Sequence, residues 1–161
     1  MAEPSCDYLA ALEDSTRHHA LNKTFSGRFL RPHVPFIKEI IDRLGCSSVL
    51  DYGCGKGQQY EWINPVTGLT IEQDWGVPVM CYDPAYPPFA NEPKGSFDLV
   101  ICTHTLGSIP VQDLPWVVDN LYRLATKAIY VAEKLGPVKK NIFRPGLRMP
   151  VGWTRLDWES A

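Results

Sequence analysis

The chain has 161 residues, of which 45% are hydrophobic and 21% charged, as is typical of one soluble globular domain. Its formal net charge of −2 creates no basic surface, so bulk nucleic-acid binding and attraction to an anionic membrane are not expected. No apolar run approaches the roughly 20 residues of a membrane helix, and the start of the chain lacks a signal-peptide layout. We therefore expect a cytoplasmic protein with a single domain over residues 1–161.

The cysteines and histidines do not suggest a metal centre. The five cysteines are an odd number, and no two of them have the spacing of a zinc site. Several fall in strand-like segments, where a free thiol packs as a small apolar group. The pair His18-His19 is interpreted as an exposed polar step on or near a helix. The sequence thus predicts neither a metal site nor a disulfide.

Helical and extended patterns alternate along the chain. Helices are predicted over residues 8–12, with a break or cap at Asp14-Ser15-Thr16, then over 34–44 with Gly45 as a stop, over 58–63 and 71–75, and within 110–127. Strands are predicted over 47–52, 77–82, 97–103 and 128–132. This order indicates an α/β domain with a parallel sheet. It divides into a helical N-terminal lid (1–45), a core (46–133) and an irregular basic tail (134–161).

One stretch joins the first strand to the following helix through three glycines spaced two apart. The apolar strand ends at Asp51-Tyr52 and runs into Gly53, Gly55 and Gly57. Glycine lets the backbone turn sharply and leaves room for a ligand against bare main chain. The helix that follows would present free N–H groups at its first turn. Strand, glycine turn and helix together predict a nucleotide-type pocket at the carboxyl edge of the sheet.

Two further segments narrow this prediction. Tyr82-Asp83-Pro84 and residues 97–106 have the order and context of the second and fourth motifs of the class I S-adenosylmethionine-dependent methyltransferases, and residues 50–57 resemble the first. The Thr-Phe-Ser-Gly-Arg segment at 24–28 is similar to one in a compact bacterial and phage-type subgroup. The resemblance covers about residues 26–133. It implies a Rossmann-like fold with flanking helices and a mainly parallel sheet. The family sheet normally has seven strands, whereas this sequence supplies four clear ones, so we expect a reduced sheet.

The resemblance also implies S-adenosylmethionine as the cofactor. Asp51 would hold its ammonium, and Asp83 would accept both ribose hydroxyls, since a carboxylate suits two adjacent donors. Two alternatives remain open: a strand-end cap for Asp51 and an Asp-Pro turn for Asp83. The implied cofactor-binding residues, all at strand ends or in the glycine turn, are Asp51, Gly53, Cys54, Gly55, Gly57, Asp83, Pro84, Thr103 and His104.

The acceptor side is less well defined. His104 would lie near the transferred methyl and is a candidate base, because imidazoles change charge near neutral pH; packing on the adenine or capping a helix is an equal alternative. The Glu-His pair common in relatives is replaced here by residues 106–108, so no role is inherited from it. Other candidates, before the sheet and after the second strand, are Arg28, Arg31, His33 and Tyr86, the last also offering its ring to adenine with Phe89. Gln58 and Tyr60 are candidates for lining the pocket.

The leading hypothesis is methyl transfer to a small acceptor molecule. Because the tail is basic, an acceptor that carries a phosphate or a carboxylate would suit it. One alternative is a lyase-type enzyme that uses S-adenosylmethionine without methylating. Another is a catalytically inactive, cofactor-binding partner subunit. The fourth strand would leave an open edge, which a folded-over tail or a homodimer would cover.

Overall fold

The structure is a computed structural model and describes residues 3–21 and 25–133. In these ranges four parallel strands form one sheet: β1 (Val49–Tyr52), β2 (Val79–Tyr82), β3 (Phe97–Thr103) and β4 (Ala125–Ala132). Their spatial order is β2-β1-β3-β4. The α-helices are α1 (Cys6–Leu21), α2 (Val34–Leu44), α3 (Ile71–Trp75) and α4 (Leu114–Leu124). The predicted α/β, Rossmann-like fold with a reduced parallel sheet is confirmed.

The sheet is covered on both faces, which explains why its central strands are nearly continuous apolar runs. Val49, Leu99 and Ile101 point to one face and pack with α2 and α3. Leu50 and Val100, one position along each strand, point to the other face and pack with α4. Within the described ranges, no helix is long and apolar enough to cross a membrane.

The predicted break in the first helix is wrong. α1 continues through the Asp14-Ser15-Thr16 segment and ends at Leu21. The Thr16 hydroxyl donates to the carbonyl oxygen of Leu12 at 2.8 Å, so this side chain is satisfied inside the helix and does not terminate it. Such a hydroxyl is compatible with a helix that tertiary contacts hold in place.

α1 is held by contacts at both of its ends and crosses the carboxyl edge of the sheet. At its start, the backbone N–H and the hydroxyl of Ser5 donate to the Asp113 carboxylate at 2.8 and 2.6 Å. Tyr8 packs edge-on against Trp116, with ring centroids 5.1 Å apart. Near its end, His19 lies beside Asp83, which follows β2. α2, by contrast, packs on a face of the sheet.

Most remaining element predictions hold, with shifted ends. α2 ends at Gly45, which has a left-handed φ of 55°, and β3 has the predicted bounds. The segment after the glycine turn is a short 3-10 helix, Gln58–Tyr60. β4 begins at Ala125, earlier than the predicted residue 128, because a bulge follows its first pair with β3. The predicted basic tail, 134–161, lies outside the described residues.

Candidate functional site

A cavity of about 550 Å³ opens at the carboxyl ends of β1, β2 and β3, under α1. This is where ligands bind in open α/β sheets, since strand order reverses here and the loops diverge. One face of α1 forms its roof through residues at helical spacing: Tyr8, Leu12, Ser15 and His19. The floor and walls come from the strand ends and loops, mainly Asp51, Gly53, Cys54, Gly55, Gln59, Asp83, Pro84, Thr103 and His104.

The glycine turn forms part of the floor and has no room for side chains. Gly53 and Gly55 have φ values of 83° and 63°, a region that L side chains rarely adopt. A Cβ on Gly55 would collide with the backbone oxygen of Phe25, and one on Gly53 with the side chain of Thr105. Gly57 faces Phe89 and does not line the cavity, unlike the other predicted turn residues.

Asp51 is a buried carboxyl group with one oxygen in use. Its Oδ2 accepts hydrogen bonds from the Tyr60 hydroxyl at 2.8 Å and from Gln59 Nε2 at 3.1 Å. Its Oδ1 and the Gln59 Oε1 are buried and have no hydrogen-bond partner among the described residues. Burial raises the pKa of Asp51 to about 7, although the two hydrogen bonds oppose the rise. Two acceptor atoms thus lack donors at this end of the cavity.

Asp83 is buried just after β2, and backbone N–H groups hold its carboxyl group in place. Its Oδ2 accepts from Gly55 N at 2.8 Å, and its Oδ1 accepts from Ala85 N at 2.9 Å. The Asp-Pro turn anticipated as an alternative is therefore present, yet each oxygen retains acceptor capacity. Burial raises the pKa of Asp83, while these hydrogen bonds and nearby His19 act in the opposite direction.

His19 corrects the interpretation of the histidine pair. His18 is exposed, but His19 is only 7% exposed and lines the cavity. Its ring packs against those of Phe25 and Tyr86, at centroid distances of 4.6 and 5.3 Å. Burial lowers the pKa of His19 despite the opposing influence of Asp83, so the ring is neutral at pH 7.

His104 lies at the far end of the cavity from Asp83, just after β3. Its φ of 54° is unusual for a residue with a side chain and is a strained conformation. The ring packs on Phe29 at a centroid distance of 4.9 Å. Its Nδ1 lies 4.0 Å from Oε1 of Glu133, whose Oε2 accepts from Gly107 N at 2.9 Å. A glutamate from the end of β4 thus stands beside the histidine.

The acceptor-side candidates separate into two groups. Arg28 lines the cavity, as Phe29 does. Arg31 instead packs over the Trp62 ring at 4.6 Å, and His33 Nδ1 hydrogen-bonds the Tyr130 hydroxyl at 2.8 Å. Tyr86 stacks on His19 outside the lining set. Among the described residues, no cluster of histidine, cysteine or acidic side chains has a metal-binding arrangement.

Several residues of the site were not identified from the sequence, among them Gln59, His19 and Glu133. Gln59 lines the cavity, whereas the predicted candidate Gln58 is exposed. The other candidate of this segment, Tyr60, contacts Asp51 through its hydroxyl. His19 had a readable signal, because it continues the helical spacing of Tyr8 and Leu12 once the helix is extended. Glu133 had none, since its approach to His104 depends on how β4 pairs with β3.

Comparison with known families agrees with this geometry. A family model described as a methyltransferase domain matches residues 15–132, from the middle of α1 to the end of β4. Comparisons with curated proteins and with solved structures gave no match. The resemblance to a bacterial and phage-type subgroup stays a prediction. The chain belongs to the methyltransferase domain family and is a class I S-adenosylmethionine-dependent methyltransferase by fold and family.

Proposed function

We propose that the protein binds S-adenosylmethionine in this cavity and transfers its methyl group to a small acceptor that carries a phosphate or a carboxylate. Family membership supports methylation in general. The assignment of residues to cofactor and acceptor rests on the chemistry of the cavity walls.

The hydrogen-bond acceptor atoms that lack a donor at the β1 end of the cavity suit the amino-acid part of the cofactor. Asp51 Oδ1 and Gln59 Oε1 are both buried there without a donor from the described residues. A buried acceptor without a donor costs about 1–3 kcal/mol. The ammonium group of the cofactor would supply donors to both atoms and a positive charge opposite Asp51. Gly53 and Gly55 line the cavity beside them, so the cofactor would lie against bare main chain.

The β2 end suits the nucleoside part. The Gly55 and Ala85 N–H groups fix the Asp83 carboxyl group in place, and each of its oxygens can still accept a hydrogen bond. Two neighbouring ribose hydroxyls are two donors, which matches this remaining capacity. Pro84 and Ala85 form an apolar wall next to it, where a purine ring can pack.

When bound, S-adenosylmethionine supplies a methyl group on a sulfonium, which needs no further activation to leave. The protein therefore has to position the acceptor and exclude water. α1 covers the cavity and performs the second task. His104, at the opposite end from Asp83, can accept the acceptor's proton at a ring nitrogen, and Oε1 of Glu133 lies 4.0 Å from its Nδ1.

The acceptor end combines a positive charge with an aromatic surface. Arg28 lines the cavity, and Phe29 is 57% exposed beside it although it is a large apolar residue. Guanidinium groups bind phosphates and carboxylates through paired hydrogen bonds. An anionic acceptor with a flat apolar portion would use both residues.

The buried, unpartnered oxygens of Asp51 and Gln59 carry this proposal most directly. Calorimetric titration of the full chain with S-adenosylmethionine and S-adenosylhomocysteine tests it. Both should bind, and Asp83→Ala should weaken both by about 1–3 kcal/mol, because the ribose hydroxyls lose their acceptor. Asp42→Ala, an exposed aspartate of α2, is the matched control and should bind as the wild type does.

The outcome of incubation with the cofactor distinguishes the alternatives. Mass spectrometry should detect S-adenosylhomocysteine only when an acceptor from a panel of phosphorylated and carboxylated small molecules is added. Breakdown of the cofactor without any acceptor would favour the lyase-type enzyme. Binding without turnover across the panel would favour an inactive partner subunit, and absence of binding would overturn the proposal.

A further inference from the structure

We propose that His19, in the helix that covers the cavity, is a ligand-binding residue that holds a ribose hydroxyl of the cofactor together with Asp83. This inference rests on the proposed function and adds a contact from α1 to it. The other cofactor contacts proposed above come from the sheet and its loops.

The separation of the two side chains is the first observation. His19 Nε2 and Asp83 Oδ2 are 4.0 Å apart. Hydrogen bonds between nitrogen and oxygen are about 2.7–3.2 Å long, so these atoms do not bond directly. A single hydroxyl between them can bond both, because a hydroxyl donates once and accepts as well.

The isolation of the imidazole is the second observation. The side chain of His19 is 4% exposed, and its Nδ1 is buried with no hydrogen-bond partner in the described part of the chain. Buried imidazoles whose role is packing normally have their nitrogens satisfied. His19 also lines the cavity, so its imidazole can contact a bound molecule.

The protonation state fits this role. Burial keeps the ring neutral, so it has one donor nitrogen and one acceptor nitrogen. The proton belongs on Nε2, since that atom faces the Asp83 carboxyl group. Nε2–H then donates to the hydroxyl, the hydroxyl donates to Asp83, and Nδ1 remains an acceptor.

The stacked neighbours fix the ring in this position. Phe25 and Tyr86 both pack against it, at 4.6 and 5.3 Å between centroids. The same Phe25 accepts from Lys56 N through its carbonyl oxygen at 2.7 Å, which connects this cluster to the glycine turn. Through His19, the end of α1 would therefore contact the bound nucleoside.

The adjacent histidines provide a matched pair for the test. His19→Ala and His18→Ala change neighbouring positions of one helix, but His18 is exposed and bonds within α1 to Asp14. The affinities of S-adenosylhomocysteine and of 5′-methylthioadenosine are measured by calorimetry, and the unfolding temperature of each variant is recorded. His19→Gln, which retains a donor, is measured in parallel in case the alanine variant does not fold.

His19→Ala should weaken both ligands about five- to tenfold, the effect of one lost hydrogen bond, and His18→Ala should leave both affinities unchanged. His19→Gln should recover part of the loss. With the 2′-deoxy and 3′-deoxy forms of 5′-methylthioadenosine, the penalty of His19→Ala should disappear for the one that lacks the bridging hydroxyl.

Equal affinities for wild type and His19→Ala would overturn the inference and leave the proposed function intact. A penalty that persists with both deoxy forms would also overturn it, since His19 would then act by supporting α1. A wild-type protein that binds neither S-adenosylmethionine nor S-adenosylhomocysteine would overturn both proposals.

Discussion

The two ends of the sheet use the same residue type, aspartate, in opposite ways. At the amino end, Asp98 of β3 accepts from the backbone and the hydroxyl of Ser47 at 2.7 and 2.8 Å. It also accepts from the Thr126 hydroxyl at 3.0 Å and pairs with Lys127 at 3.1 Å, both brought opposite it by the bulge in β4. At the carboxyl end, Asp51 is fully buried with one oxygen unpartnered by the described residues.

The difference appears in the pKa values. Hydrogen bonds from Ser47, Lys127 and Thr126 hold the pKa of Asp98 below its usual range, so its charged form stabilises the fold. Burial raises the pKa of Asp51 to about 7, so its charged form opposes folding. A carboxylate with all of its partners serves structure. One that lacks a partner reduces stability and leaves a place for a ligand.

The largest expected effect is on stability through Asp51. Its folded-state pKa of about 7 lies above an unfolded value of about 3.9, so between these pH values the folded state binds more protons. The free energy of unfolding therefore falls as the pH rises through this window, by up to about 4 kcal/mol. Asp51→Asn has no such charge and should be more stable than the wild type at pH 8.

Urea unfolding of the ligand-free protein at pH 5 and pH 8 measures this effect. The advantage of Asp51→Asn should be large at pH 8 and small at pH 5. An advantage of the same size at both pH values would mean that the Asp51 charge does not oppose folding. Asp42→Asn, at an exposed position of α2, provides the control for removing a charge.

A second comparison uses two glycines with similar backbone angles at different places. Gly55 and Gly45 have φ values of 63° and 55°, but a Cβ meets the Phe25 backbone at the first position and open space at the second. Gly45→Ala should cost about 1 kcal/mol, the strain of the left-handed conformation. Gly55→Ala should cost roughly 1–3 kcal/mol more because of overpacking. Urea unfolding measures both, and equal costs would contradict the tight turn.

The smallest expected effect is at the amino end. Asp98→Ala should lower the free energy of unfolding at pH 7 by about 1–2 kcal/mol, since it removes several hydrogen bonds at a partly exposed site. Because the folded-state pKa is below the unfolded value, this contribution is present above pH about 4 and lost as the pH falls further. The affinity of Asp98→Ala for S-adenosylhomocysteine should match that of the wild type. Weaker binding would mean that the two ends of the sheet are coupled.

Whether a feature could be predicted from the sequence depends on whether its causes are local or distant in the chain. The bounds of β3, the stop at Gly45 and the glycine turn depend on patterns within a few residues, and the structure has them in place. The position of α1 over the sheet could not be predicted, because it depends on contacts with Asp113, which is distant in the chain. A helix that stops at residue 12 does not bring His19 to the cavity, and the sequence then indicates an exposed position for it. Glu133 reaches His104 only through strand pairing.

The central claim is that the carboxyl end of the sheet holds the cofactor, and that Asp51 is charged when it binds the ammonium group of the cofactor. Titration of S-adenosylhomocysteine into the wild type at pH 6, 7 and 8, in two buffers of different ionisation enthalpy, tests this most directly. Affinity should rise with pH through the Asp51 pKa of about 7, and protons should be released at pH 6. Absence of binding, or binding with no proton release and no pH dependence, would contradict the account.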